Sequence, residues 1–111
     1  MGKHLMVHIH NISNSVLLIT VESVEPFTMK IVEVGNFHVV REAKHQFKPK
    51  GATILYLLRE SHLSIHTYPE TNNNTIDLYC CNPFVNMGDI LHCIYQYFNG
   101  DYFITKKIID R

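Results

Sequence analysis

Two segments of the chain alternate between aliphatic and other residues, and this alternation limits the folds open to it. In HLMVHIH, residues 4–10, every second residue is aliphatic and the positions between are histidine or methionine. In SHLSIHTY, residues 61–68, Leu63 and Ile65 fall on one face, with histidine and serine on the other. A period of two is typical of β-strands that bury one face. The pattern therefore predicts a sheet with one apolar face.

Four further segments also carry strand patterns. They are rich in β-branched and aromatic residues, and turn-forming residues such as Pro49, Gly51 and the asparagines of ETNNNT lie between them. These predicted strands are residues 37–47, 52–60, 75–81 and 101–109.

Two segments have helical patterns. The first helix is predicted from about residue 24 to residue 34, with Ser23 as its cap, Pro26 near its first turn and Gly35-Asn36 as its stop. The second is predicted from apolar residues that recur at helical spacing before a turn-forming pair. These residues are Ile90, Leu91, Ile94, Tyr97 and Phe98, followed by Asn99 and Gly100.

The length and the order of these elements predict one α+β domain over residues 1–111: a two-layer sandwich, mainly antiparallel sheet, with two helices packed on one face. Ten basic and ten acidic residues leave no net charge, so neither nucleic acid nor an anionic membrane is an expected partner. No apolar run reaches the ~20 residues of a membrane span, and no signal peptide is recognised, which predicts a cytoplasmic protein. The three cysteines, two of them adjacent, are expected to be reduced.

Eight histidines raise the question of a metal site. His62 and His66 have the spacing of zinc ligands on a helix, but on a strand they lie roughly 13 Å apart. We therefore predict no metal ion. Cys81 with His66 is a candidate Cys-His hydrolase pair, but no nucleophile turn surrounds Cys81, and a cysteine at the end of a strand is more often a small buried residue.

A longer stretch changes the interpretation of these reactive residues. ESHLSIHTYPE, residues 60–70, is preceded by HQFKPKGAT and followed by IDLYCCNP, and the whole resembles the prokaryotic type of S-adenosylmethionine decarboxylase, a pyruvoyl-dependent enzyme of polyamine synthesis. The resemblance covers residues 45–83 and extends weakly to GKHL at residues 2–5. Its reactive positions recur in register: the ESH junction, a histidine five residues after Ser61 and a cysteine twenty residues after it.

The resemblance implies a proenzyme that cleaves itself between Glu60 and Ser61. The products would be a β chain of residues 1–60 and an α chain of residues 61–111. In this chemistry the Ser61 hydroxyl attacks the preceding carbonyl, the resulting ester is eliminated, and hydrolysis leaves a pyruvoyl group in place of Ser61. The resemblance assigns to His66 the removal of the Ser61 α-proton, a task that suits an imidazole with a pKa near ~6.5.

The implied cofactor is this self-made pyruvoyl group, which forms a Schiff base with the substrate amine and accepts the electrons released with carbon dioxide. Cys81 matches the proton donor of the family, a role that needs a protonated thiol, as a free cysteine of pKa ~8.5 is at neutral pH. Thr53 matches a hydroxyl near the processing site. Phe47 matches an aromatic ring that stacks on adenine, and Glu70 a carboxylate that holds the ribose hydroxyls. The implied substrate is S-adenosylmethionine, and the product would be the aminopropyl donor for spermidine.

Strand parity adds a constraint from this sequence itself. Ser61 shares one predicted strand face with Leu63 and Ile65, whereas His66 lies on the opposite face, so the two do not meet in one chain unless the strand bends. The resemblance implies a homodimer with active sites at its interface. We therefore predict that each site combines two protomers: Ser61 and Cys81 of one with Phe47, Thr53, His66 and Glu70 of the other.

Two departures from the family pattern leave the substrate open. His8 stands where relatives commonly carry a carboxylate, and Tyr68 where they frequently carry tryptophan. The alternative enzyme is a pyruvoyl-dependent ornithine or arginine decarboxylase of the same fold, although Phe47 and Glu70 favour a nucleoside substrate. The non-enzymatic alternative is a self-associating regulatory subunit that is never processed, and the intact reactive residues argue against it.

Overall fold

The described part of the chain, residues 2–98 and 102–111 of a computed structural model, forms an antiparallel sheet with helices on one face. The strands are β1 (Lys3–His10), β2 (Val39–Gln46), β3 (Ala52–Leu58), β4 (Ser61–Tyr68), β5 (Asn73–Cys80) and β6 (Phe103–Asp110). The helices are α1 (Val21–Gly35) and α2 (Met87–Tyr97), with short 3-10 turns at Ser15–Leu18 and Pro69–Thr71. This confirms the predicted two-layer α+β sandwich.

Strand β4 lies inside the sheet and is held on both sides. The strand order is β2-β3-β4-β5-β1-β6, and each neighbouring pair is antiparallel. The register places Ser61 opposite Leu58 of β3 and opposite Cys80 of β5. Since a slip of one residue would turn every side chain of β4 to the wrong face, this register is strongly specified.

The two faces of the sheet have different environments. In β4, Leu63 and Ile65 are fully buried against the helical layer, as the alternation predicts. Each such aliphatic side chain contributes about 1.5–3 kcal/mol to folding. Within residues 2–98 and 102–111 no helix covers the opposite side, and we call it the open face. It is formed by alternate residues of the strands, among them His4, His8 and His10 of β1, Thr53, Leu55 and Leu57 of β3, His62, Ser64, His66 and Tyr68 of β4, and Thr75, Asp77 and Tyr79 of β5.

Helix α1 begins earlier than the sequence pattern predicted. Thr20, not Ser23, is its N-cap: the Thr20 hydroxyl accepts from the Ser23 N–H at 3.0 Å, and the Ser23 hydroxyl accepts from the Thr20 N–H at 3.0 Å. This reciprocal capping box satisfies two N–H groups at the helix start. Pro26 consequently lies inside the helix. The predicted stop is correct, because Asn36 adopts the left-handed conformation that ends helices.

Helix α2 packs beside α1 in the same layer. The Asn86 side chain caps it by accepting from the Asp89 N–H at 3.2 Å. The Phe27 ring of α1 lies 4.7 Å from the Tyr97 ring and 5.0 Å from the Phe98 ring, centroid to centroid. The predicted stop at Asn99 and Gly100 lies outside the described residues. Neither helix has the length and apolar character that crossing a bilayer would need.

Thr67 fastens the helical side of β4 to two other segments. Its side chain is buried, donates to the Leu18 carbonyl at 2.8 Å, and accepts from the Ala52 N–H at 2.9 Å. Without that hydroxyl, both backbone groups would be buried and unpaired. Buried polar groups left in this way cost about 1–3 kcal/mol each.

We expect Thr67→Val to lower the free energy of unfolding by about 2–4 kcal/mol, because it leaves two buried backbone groups unpaired while keeping the side-chain volume. Thr28→Val is the matched control. Thr28 is also buried, but its hydroxyl only adds a bond of 3.3 Å to the Val24 carbonyl within α1, so its loss should cost clearly less. Urea denaturation of both variants measures the difference. Equal losses would contradict the role of Thr67.

Candidate active site

The Glu60-Ser61 peptide bond lies at the tip of a tight hairpin. Arg59 and Glu60 form the turn between β3 and β4, and both are exposed. The Arg59 N–H donates to the His38 carbonyl at 3.0 Å, which ties the turn to the chain segment after α1. The predicted cleavage site is therefore in a turn at one end of the sheet. This turn is exposed to solvent, and the backbone hydrogen bond to His38 restrains its conformation.

Ser61 and Cys81 are brought together by the pairing of β4 with β5. The Cys81 N–H donates to the Ser61 hydroxyl oxygen at 3.2 Å. Both residues are half-buried. A cavity of about 200 Å³ adjoins Ser61. Its lining includes Asn36, Phe37, His38, Glu60 and Asn82.

Thr53 and His66 form a second pair, on the open face. They are opposite each other in the β3–β4 register, and Thr53 Oγ1 lies 3.0 Å from His66 Nδ1, within hydrogen-bonding distance. This contact orients the imidazole and leaves Nε2 as its other proton-exchanging atom.

Threonines and histidines alternate in one row across the whole open face. Successive register pairs connect residues on all six strands. The row is His45, Thr53, His66, Thr75, His8 and Thr105. Sequence reasoning missed it, because the alternation within each strand does not reveal which residues are opposite each other. The row places His8 on the same line as His66.

His8 is the least satisfied histidine of this row. Its Nε2 is buried and, among the described residues, has no hydrogen-bond partner. Its ring stacks on His10 at 3.7 Å, and burial, followed by the nearby His10, lowers the pKa of His8. His8 is therefore a neutral imidazole at neutral pH.

Phe47 and Glu70 lie at the end of the sheet opposite to Ser61. Phe47 follows β2 and is 46% exposed, and Glu70 is exposed in the 3-10 turn after β4. Gly51 lies between these segments: a Cβ there would be 3.7 Å from Phe47 Cβ and 3.5 Å from Pro69 Cδ. Its φ of +110° also favours glycine. The two predicted substrate-binding segments are thus neighbours.

One chain does not bring all the predicted residues together. Ser61 and His66 are five residues apart on one strand, which corresponds to roughly 16 Å, and they belong to opposite faces. The residues divide into a cleavage-end group, Glu60, Ser61 and Cys81, and an open-face group, Thr53 and His66 with Phe47 and Glu70 beyond them.

The open face also carries a polar cluster that sequence reasoning did not identify. His4 Nε2 is hydrogen-bonded to the Asp77 carboxylate, and His62 Nε2 lies 3.8 Å from the same carboxylate. Tyr79 packs edge-on against His4, with ring centroids 6.2 Å apart. Only the cross-strand register brings these side chains together. Within residues 2–98 and 102–111, no group of three or more His, Cys, Asp or Glu side chains is arranged to hold a metal ion.

Besides Cys81, the chain has two cysteines, and neither belongs to this cluster. Cys80 is buried in the core between β5 and the helical layer. Cys93 is half-buried on α2, and burial raises the pKa of its thiol. We assign neither a role in the candidate site.

We expect Thr53→Val to change the tautomer population of His66, because the substitution removes the partner of Nδ1. Thr53→Ser should retain the wild-type population. Long-range ¹⁵N–¹H spectra of the Ser61→Ala chain, with His66 assigned by His66→Gln, measure it. Thr75→Val is the matched control, since Thr75 is opposite His66 on its other side. A shift with Thr75→Val but not with Thr53→Val would contradict the assignment.

Comparison with known proteins shows which family the sequence of this chain matches. A family model for S-adenosylmethionine decarboxylase matches residues 3–111. A protein of Bacillus cereus, S-adenosylmethionine decarboxylase proenzyme 2, is 42% identical over 108 residues, which cover 97% of this chain and 87% of that protein. An arginine decarboxylase proenzyme of Caldivirga maquilingensis is 33% identical over 113 residues, which cover 99% of this chain and 83% of that protein.

The fold agrees with the family. The crystal structure of the adenosylmethionine decarboxylase from Aquifex aeolicus VF5 matches with a TM-score of 0.88 and 27% sequence identity, covering 100% of this chain and 90% of that one. The match to the family model covers residues 3–111, and these include the hairpin that carries Ser61 and the segment after β5 that carries Cys81. The chain therefore belongs to the S-adenosylmethionine decarboxylase family of enzymes.

Proposed function

We propose that the chain is a proenzyme that cleaves itself between Glu60 and Ser61 and then decarboxylates S-adenosylmethionine, yielding the aminopropyl donor for spermidine synthesis. The observation that carries this proposal is the contact between Ser61 and Cys81. The Ser61 hydroxyl is held at an exposed hairpin tip by the Cys81 N–H, at 3.2 Å. Ser61, which would become the pyruvoyl group, and Cys81, the proposed proton donor, are thus adjacent before cleavage.

Processing uses side chains of two copies of this chain, Ser61 of one and His66 of the other. The Ser61 Oγ attacks the Glu60 carbonyl carbon, the Glu60-Ser61 C–N bond breaks, and an ester forms. A base then takes the Ser61 α-proton and the Glu60 carboxylate leaves; hydrolysis of the remaining group releases ammonia. We assign the base to His66 Nε2, because Nδ1 is engaged by the Thr53 hydroxyl. The products are residues 1–60 and 61–111.

The cofactor is the pyruvoyl group that replaces Ser61. It supplies an electron sink for the bond that breaks when carbon dioxide leaves. The position of Ser61 fits this group, since the residue is half-buried, begins a strand held on both sides, and borders a cavity of about 200 Å³. Cys81 provides the proton that the substrate α-carbon needs after decarboxylation.

The substrate assignment rests on Phe47 and Glu70, which lie at the end of the sheet opposite to Ser61. The exposed ring of Phe47 offers a face for adenine, and the exposed carboxylate of Glu70 offers acceptors for two ribose hydroxyls. A small amino acid needs neither group. Arginine is the second candidate substrate, because the Caldivirga maquilingensis relative is named an arginine decarboxylase proenzyme.

Homodimerisation would bring together Ser61 and His66, which do not meet within one chain. Ser61 and His66 are separated by roughly 16 Å and by the sheet itself. On the open face Leu55 and Leu57 remain 44% and 52% exposed. Two copies that bury these leucines against each other, in opposite orientation, would place Ser61 and Cys81 of one protomer against the open-face group of the other. A regulatory subunit without chemistry would need the leucines but not the reactive residues.

We expect the purified wild-type chain to migrate as two fragments and Ser61→Ala as one, because the attacking hydroxyl is lost. Mass spectrometry should find a fragment that begins at a pyruvoyl group in place of Ser61. Ser64→Ala is the matched control, since Ser64 lies on the same strand, and it should still be cleaved. An uncleaved wild type would favour the regulatory subunit.

Co-expressed Ser61→Ala and His66→Ala chains should recover roughly a quarter of the wild-type activity, because random pairing makes half the dimers mixed and each has one complete site. Each variant alone should be inactive. The control replaces the second chain with the double variant Ser61→Ala, His66→Ala, which provides no intact Ser61. Failure to recover activity in dimers that form normally would place His66 and Ser61 of one chain in the same site.

Carbon dioxide release should be observed with S-adenosylmethionine and not with arginine or ornithine. Phe47→Ala should raise the KM for S-adenosylmethionine about tenfold or more, because it removes the adenine platform. Release from arginine alone, unaffected by Phe47→Ala, would make the chain an arginine decarboxylase.

A further inference from the structure

The side chain of Gln46 joins the start of helix α1 to the loop that carries Phe47. Its Oε1 accepts from the Val21 N–H at 2.8 Å. Its Nε2 lies 3.0 Å from each of three carbonyl oxygens, those of Ile19, Phe47 and Gly51. One side-chain amide therefore contacts four backbone groups of two separate segments.

The chemistry of these partners fixes the orientation of the Gln46 amide. The Val21 N–H needs an acceptor, which only Oε1 provides, and the three carbonyls need donors, which only the NH₂ group provides. The reversed amide would place its oxygen against the three carbonyl oxygens. A carboxylate lacks the donor and an ammonium lacks the acceptor, so the arrangement requires a neutral amide.

Backbone hydrogen bonds close the same loop. The Phe47 N–H donates to the Gly51 carbonyl at 2.8 Å, and the Gly51 N–H donates to the Ile19 carbonyl at 2.8 Å. The Gln46 NH₂ group shares both of these acceptors with the backbone. The loop of residues 47–51 is thus tied at both ends to the segment that leads into α1.

The Phe47 ring stays accessible while its backbone is held. The ring is 46% exposed, and its centroid lies 4.6 Å from that of the His45 ring. Gln46 is itself exposed, so water could satisfy the four backbone groups in its absence. The amide therefore contributes to the order of the loop more than to the stability of the core.

We propose that Gln46 is a positioning residue for substrate binding: its amide clamps the loop to α1 and so holds the Phe47 ring where adenine stacks. This inference rests on the proposed function, in which Phe47 is the adenine platform. Gln46 acts through Phe47 and does not contact the substrate. Because Ser61 lies at the opposite end of the sheet, Gln46 has no part in cleavage or proton transfer.

The first test does not require decarboxylase activity. Amide hydrogen exchange of Phe47 and Gly51 is measured by NMR in the uncleaved Ser61→Ala chain. Gln46→Ala should accelerate exchange at both amides roughly tenfold, because the loop opens more often without the clamp. The Arg59 amide is the internal control, since it closes the hairpin at the other end of the sheet. Unchanged exchange at Phe47 and Gly51, or equal acceleration at Arg59, would overturn the proposal.

The second test uses the cleaved enzyme. Gln46→Glu keeps the side-chain size and an acceptor for Val21 but loses the donor. It should raise the KM for S-adenosylmethionine roughly fivefold and change kcat by less than about twofold, because the platform is displaced and the reacting groups are not. Gln96→Glu makes the same chemical change on an exposed position of α2 and should leave both constants unchanged.

A double-mutant cycle then decides whether Gln46 acts through Phe47. In the Phe47→Ala background, Gln46→Glu should raise KM by less than about twofold, because no ring remains to be positioned. Full multiplication of the two effects would overturn the proposal. So would a lowered kcat with unchanged KM, or a folded Gln46→Glu chain that fails to cleave.

The two proposals fail in different ways. If the wild type releases no carbon dioxide from S-adenosylmethionine, the proposed function fails, whereas the exchange rates still decide whether Gln46 holds the Phe47 loop. If the wild type is active and Gln46→Glu has the wild-type KM, the role of Gln46 fails and the proposed function stands.

Discussion

The burial of one face of the antiparallel sheet is the constraint on which the rest of the structure depends. Helices α1 and α2 cover that face, and the aliphatic residues of β1, β3, β4 and β5 fill the space between the layers. Because strand side chains alternate, this burial forces histidine, threonine and serine residues to the other side. The polar open face is thus a direct consequence of how the core is filled.

Strand register then converts that polar face into specific contacts. Ser61 meets Cys81 because β4 pairs with β5, and Thr53 meets His66 because β3 pairs with β4. Both contacts join residues distant in sequence but adjacent across hydrogen-bonded strands. The same register brings His4, Asp77 and Tyr79 together, which explains why this cluster was not visible in the sequence.

The separation of the two groups of residues links the fold to the proposed assembly. Ser61 and His66 are five residues apart in β4 and lie on opposite faces of the strand, so one chain does not bring them into one pocket. The uncovered leucines Leu55 and Leu57 lie on the same face as Thr53 and His66. A partner that covers this face would therefore both bury apolar surface and complete the site.

The sequence by itself determined the layer architecture and the strand faces, because hydrophobic periodicity is local and is preserved in the folded chain. It also identified the family, through spacing around Ser61, His66 and Cys81. It placed the start of α1 three residues late, since the reciprocal bonds between Thr20 and Ser23 are made only once the helix forms. The tertiary structure alone decided the row across the open face, the burial of His8 Nε2 and the cluster of His4, Asp77 and Tyr79. These depend on which residues are opposite each other in neighbouring strands, and pairing between distant segments is not encoded in any local pattern.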